Sequence, residues 1–162
     1  MNAKRLTRTI LALSLVLLMP VTNLKAQQVE EVGLYFQNSK SAEKEAIKNL
    51  IVGVNQTVYL ENGESKVVGG SSPSVVKTDV KSTSKLKEVL NANPFIEMIE
   101  IRLSSKGEER NIQLDSDLLD NTGVKCVLVR SEFELPVPAI QSMLAPLNKK
   151  NLILLYQIII PE

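Results

Sequence analysis

The stretch that decides the fold runs from 124 to 160, VKCVLVRSEFELPVPAIQSMLAPLNKKNLILLYQIII. Its first part, Val124 to Ser131, reads as a strand, with Cys126 on the face of Val124 and Leu128. Pro136 and Pro138 open a helix with Ile140, Met143, Leu144 and Leu147 inward, and Pro146 confines its regular part to about two turns. Leu152 to Ile160 is an almost unbroken apolar strand, the pattern of a central position covered on both faces. Strand, helix and strand in this order imply parallel pairing with the helix packed on the sheet.

The same order precedes it. Val75 to Val80 reads as a strand, and Ser82-Thr83-Ser84 caps a short helix with Leu86, Val89 and Leu90 inward. Asn93-Pro94 ends that helix, and Phe95 to Leu103 (FIEMIEIRL) forms a long strand. Ile99, Ile101 and Leu103 share one face of it. Glu97, Glu100 and Arg102 suggest that parts of both faces meet water. Asn111 to Leu114 is expected to pair back, Asp115 to Asn121 to form a short capped turn or helix, and Gly123 to break it.

Further out, Gln56 to Val68 reads as a hairpin around Asn62-Gly63, a dipeptide suited to the two positive φ values of a type I′ turn. Gly69 to Ser74 follows as a loop. Ser41 is placed to cap a helix over about Ala42 to Val54, with Ala46, Ile47, Leu50, Ile51 and Val54 on one stripe. Val29 to Gln37 reads as a first strand, with Leu34 and Phe36 on one face. The expected fold is α+β: one domain, a mixed β-sheet, about three short helices packed on it, and a β-hairpin at 56–68.

The N-terminus points to export. Lys4, Arg5 and Arg8 precede an apolar run from Ile10 to Met19, which Pro20 stops, and Ala26 offers a small residue for cleavage. A run of ten residues is too short for a spanning helix, which needs about 20. The expected organisation is a cleavable signal at 1–26 and a single domain over 27–162, in the periplasm or outside the cell. The whole chain has 162 residues, with 19 Lys and Arg against 18 Asp and Glu. Removal of the leader takes four cations and no acid, which leaves 15 basic against 18 acidic residues, a net charge of −3. A mildly acidic body without a basic tract argues against nucleic acid as a partner.

Composition also bounds the chemistry. With no His there is no imidazole catalysis and no His-containing metal site. The single Cys126 cannot form an internal disulfide and reads as a small buried hydrophobe. Ser-x-x-Lys occurs at Ser41–Lys44, Ser82–Lys85 and Ser84–Lys87, a spacing that penicillin-recognising enzymes use at a helix start. The companion Ser-Asp-Asn is missing, Lys77-Thr78-Asp79 has Asp where Gly is required, and helix capping explains the serines.

Asp115, Asp117 and Asp120 bring carboxylates close together. However, Leu119, Asp120 and Cys126 occupy positions where a calcium loop needs an oxygen ligand, Gly and Glu. Glu97 and Glu100, at an odd separation in a strand, point to opposite faces and cannot flank one bond. Glu108 and Glu109 read as solvated turn residues. Gly69-Gly70-Ser71-Ser72 lacks the Lys and following helix of a phosphate loop. Asn55-Gln56-Thr57 fits a glycosylation acceptor. Lysines 77, 81, 85 and 87 outweigh Asp79, while 97–120 is acid-rich, an asymmetry able to orient a partner. The six aromatics, Tyr35, Phe36, Tyr59, Phe95, Phe133 and Tyr156, are read as core residues, all but Phe133 in strands.

No catalytic, cofactor-binding or metal-ligating residue is therefore assigned, and no cofactor is expected. The function expected is non-catalytic binding or structural association. The partner would be another envelope or extracellular protein or a second copy of the chain, reached through a sheet edge or the Gly69–Ser74 loop. An inhibitor or accessory subunit docking on a larger envelope protein belongs to the same reading. The alternative is a small secreted hydrolase with carboxylate or Ser-Lys chemistry.

Overall fold

The computed structural model describes residues 28–37, 41–147 and 149–161. The expected signal segment at 1–26 lies outside the described residues. One seven-stranded sheet organises the described residues, in the order β1-β7-β6-β5-β4-β2-β3. Its strands are β1 (Val29–Glu31), β2 (Thr57–Glu61), β3 (Glu64–Val68), β4 (Val75–Asp79), β5 (Met98–Leu103), β6 (Cys126–Ser131) and β7 (Ile153–Ile158). All neighbouring pairs are parallel except the β2–β3 hairpin, so the sheet is mixed and the domain is α+β. Among the described residues four α-helices pack on it: α1 (Val32–Gln37), α2 (Ala42–Val52), α3 (Leu86–Ala92) and α4 (Val137–Leu144). No helix among the described residues is long and apolar enough to cross a membrane.

From β4 to β7 every step moves one place across the sheet in the same direction. Right-handed crossovers that keep one direction must all lie on one face. The packing agrees: α3, the 114–124 segment and α4 share a core with Val58, Leu60, Val76, Ile99, Ile101, Leu103, Val127, Val129 and Leu154. We call this the front face. On the rear face, Tyr35 of α1 and Ile47 and Leu50 of α2 meet Val75, Met98, Cys126, Leu128 and Leu155 in a smaller core.

The hairpin forms as its turn residues dictate, with φ of 51° at Asn62 and 77° at Gly63. Helix α4 begins behind Pro136 and buries Ile140, Met143 and Leu144 as its periodicity requires. Ser41 caps α2 by accepting from the Lys44 N–H at 3.2 Å.

Several elements differ from the sequence expectation, each for a local reason. Val29 to Gln37 is not one strand. The Glu31 carboxylate accepts the Leu34 N–H at 2.9 Å and starts α1, which buries Tyr35 and leaves Leu34 exposed. Helix α2 stops at Val52, because Asn55 Nδ2 donates to the carbonyls of Asn49, Leu50 and Gly53; Val54 is fully exposed. Before α3 a 3₁₀ segment covers Val80–Lys85, and its cap is Asp79, whose carboxylate accepts from Ser82 N, while Ser82 and Thr83 are buried inside it.

Strand β5 starts only at Met98, so Phe95 falls in a turn and is 65% exposed. Asn111–Leu114 pairs with no strand among the described residues. Asn121, not Gly123, takes the left-handed conformation after the 115–120 turns, with φ 57°. Val124 precedes β6 and packs into the front core, opposite Cys126. The last strand ends at Ile158, one place in from the sheet edge, and Ile159 and Ile160 are exposed. Of the aromatics, only Tyr59 and Tyr156 lie in strands.

Candidate functional site

The strand registers assemble the most chemically loaded part of the described surface. Along the rear face, Lys77 lies opposite Glu100 and Glu100 opposite Leu128. Two residues further along, toward the carboxyl ends of the strands, Asp79, Arg102, Arg130 and Gln157 stand side by side. Because successive strand residues alternate between faces, all of these point away from the front core. The carboxyl ends of parallel strands are where open sheets of this kind receive ligands.

Glu100 is the anomaly in this group. Expected to meet water, it is instead fully buried. Lys77 Nζ lies 3.4 Å from Glu100 Oε2; Arg130 Nη1 and Arg102 Nη2 lie 3.7 and 3.9 Å from Oε1. These are ion-pair distances, but longer than the roughly 2.7–2.9 Å of a charge-assisted hydrogen bond. Both Glu100 oxygens and Arg130 Nε are buried without a hydrogen-bond partner. A buried charge without hydrogen bonds is costly, so the surrounding cations are what keep this carboxylate in place.

Beside the cluster, a shallow cavity of about 180 Å³ is lined by Glu61, Lys77, Thr78, Asp79, Arg102 and Ser104. Asp79 accepts from Asn62 N at 2.9 Å and from Ser82 N at 2.8 Å. Partial burial alone would raise its pKa, but the hydrogen bonds from Ser82 and Asn62 and the charge of Lys81 bring it below the ordinary value.

The Ser82–Lys85 pair takes a structural place. Ser82 Oγ accepts the Gly63 N–H at 2.8 Å, and the exposed Lys85 Nζ donates to the Gly63 carbonyl at 2.6 Å. Together with Asp79 they clamp the hairpin turn onto the 3₁₀ segment. Ser41 caps α2, and its companion Lys44 donates to the Tyr35 carbonyl and sits 4.6 Å above the Tyr35 ring. Lys87 pairs with Asp117 at 2.5 Å across exposed surface.

The other sequence candidates separate in the same way. Asp115 and Asp117 accept through their backbone carbonyls from Leu118 and Asp120, and no group of acids among the described residues is arranged to hold a metal. Glu97 sits just before β5 and pairs with Lys125 at 2.6 Å, so it never shares a strand with Glu100. Glu108 accepts from the N–H groups of Ser104 and Ser105, and Glu109 from that of Gly107. The Asn55 amide is engaged with the end of α2. In the Gly69–Ser74 loop, Ser72 N donates to Gln56 Oε1, and Gly70, at φ 150°, lies so close to Gln56 that a Cβ would overlap it. Cys126 is buried beneath α2, and burial pushes its thiol up to about 12.

Sequence reasoning missed Lys77, Glu100, Arg102 and Arg130 as a unit, because they are joined by register across three strands and not by spacing. The available signal was weak: β4, β5 and β6 each place a charged residue on the same face near the carboxyl end. One further surface stands out. Strand β3 is exposed along its whole length, Val67 and Val68 included, and it forms the free edge of the sheet next to β2. Compared with protein-family models, curated proteins and solved structures, the chain matches none.

Proposed function

We propose that the chain is a small exported domain that works by non-catalytic binding or structural association, and that it docks through the β3 edge. The observation that carries this reading is the exposed edge strand itself. In a hairpin closed by a two-residue turn, the pair flanking the turn is hydrogen-bonded, and bonded and non-bonded pairs then alternate. From the register, Glu64, Lys66 and Val68 turn their backbone groups toward β2. Ser65 and Val67 turn theirs outward, where an added strand can pair with them. The export half of the reading rests on the charged and apolar pattern of residues 1–26.

Other devices that blunt an edge are few here. Proline is absent from β3, and its charges are one Glu and one Lys. An extended segment of another envelope or extracellular protein is the partner this edge fits, and a second copy of the chain fits the same backbone pattern. The hydrolase alternative gains no support from Ser82 and Lys85, since both side chains are engaged with Gly63.

The test is Val67→Pro. It removes an outward N–H while leaving the pairing to β2 in place, since proline is tolerated at such edge positions. Light scattering of the chain across a concentration range, and affinity capture from its native envelope, give the two readouts. The expected result is a dimer or a captured partner for the parent chain and loss of that species for Val67→Pro, with the thermal transition nearly unmoved. A clean monomer with no captured partner, or an assembly that Val67→Pro leaves intact, would overturn the proposal.

A further inference from the structure

The geometry points to a second site, separate from the β3 edge: a tetrahedral oxyanion of the phosphate class binds on the rear face between Lys77, Arg102 and Arg130. Three cations there converge on one carboxylate, Glu100, which leaves two positive charges in excess within the cluster. None of the three donates a hydrogen bond to a described residue, although two of them are guanidinium groups with five N–H donors each. Arg130 Nε is buried and unpartnered, in the same cluster.

The side chains of Lys77, Arg130 and Arg102 are 26%, 23% and 42% exposed, so their heads can be reached from solvent. Arginine pairs of this kind suit phosphate because the planar fork offers parallel N–H groups to two oxygens at once. Glu100 would act as a positioning residue: it draws the three heads together from below, at 3.4–3.9 Å, without saturating their donors.

Two acids line the adjoining cavity. Asp79 keeps its charge and offsets one of the positive charges, but its oxygens face the Asn62 and Ser82 N–H groups and form no ion pair with the described cations. Glu61 lines the same cavity from the end of β2, two strands away from Arg102 and three from Arg130. The ligand's place is therefore on the Arg102–Arg130 side, where the next residue in register is the neutral Gln157.

The experiment titrates inorganic phosphate into the full chain at constant ionic strength, maintained with sodium chloride, and follows the thermal transition by circular dichroism. Bound ligand raises the transition temperature saturably. The expected result is saturation with phosphate and no saturable rise with acetate or with chloride alone. Sulfate and glycerol phosphate arms separate a preference for the free ion from one for an ester.

Arg102→Gln carries the decision, since Arg102 is the most exposed of the three cations and the one whose loss least disturbs folding. It should weaken phosphate binding by about tenfold or more, the scale of a lost charge-assisted contact. Glu100→Gln, which removes the charge that draws the three heads together, should weaken it as well. An equal response to phosphate, acetate and chloride would overturn the proposal, as would a phosphate affinity that Arg102→Gln leaves unchanged.

Discussion

The two faces of the sheet are built by the same strands and covered in different ways. On the front, every crossover from β4 to β7 returns over the sheet, and the apolar residues are buried along the full strand length, from Ile99 through Leu103 on β5. Among the described residues, the rear receives only α1 and α2. That cover ends part-way along the strands. It seals Val75, Met98, Cys126, Leu128 and Leu155, and beyond them the strands carry Lys77, Asp79, Arg102, Arg130 and Gln157. Where the connections of a parallel sheet all travel on one side, the other side is the one left with room for polar chemistry.

The largest effect expected from this contrast is on the front. Ile101 is fully buried in the larger core, and Ile101→Ala should cost about 2–5 kcal/mol, the transfer of the lost methyl groups plus the cavity they leave. Urea unfolding of the parent and the variant measures it. A loss below about 1 kcal/mol would mean that the front core can collapse around the gap, and its distinction from the rear would fail.

The sealed half of the rear face is tested through Cys126. Its side chain is fully buried in the rear core, and Cys126→Ser places a hydroxyl in the same space at a cost of about 1–3 kcal/mol. The thiol also gives the chain an alkaline limit. Burial lifts its pKa from 9.0 to about 12. Above pH 9 the unfolded chain releases a proton that the folded chain keeps until about pH 12, so stability falls as pH rises through that window. Tyr35, raised first by burial and then by the charge of Glu43, adds a loss of the same sign above its ordinary value of 10.0. Cys126→Ser should flatten the slope between pH 9 and the onset of the tyrosine contribution. An unchanged slope would show that water reaches the thiol.

Legibility from sequence followed the range of the interaction. Asn62-Gly63 demanded two positive φ values, and the hairpin followed; Pro136 and the spacing of Ile140, Met143 and Leu144 placed α4. Each of these depends on neighbours within a few residues. Residues 29–37 misread because VEEVGLYFQ suits either periodicity, and only the reach of Glu31 to the Leu34 N–H selects a helix. Glu100 misread for a different reason. Alternation assigns it to the rear face correctly, but nothing local says how far α1 and α2 extend across that face or that Lys77 and Arg130 arrive beside it. The cation cluster depends on the register of three parallel strands, information that a single chain's spacing does not carry.

The smallest expected effect gives the sharpest contrast, because it concerns the residue next to Ile101. Arg102 points to the rear, is 42% exposed, makes no hydrogen bond to a described residue, and stands 3.9 Å from a carboxylate that keeps Lys77 and Arg130. Because the pair is long, its cation is 42% exposed and the carboxylate keeps two other cations, Arg102→Ala should move the urea transition by less than about 1 kcal/mol. One step along the same strand thus separates a residue that holds the fold from one that the fold can lose. A cost above about 2 kcal/mol would show that Glu100 requires all three cations and that the cluster is a structural ion network. A cost near zero leaves the Arg102 guanidinium without a part in stability, which is what the anion site proposed for it requires.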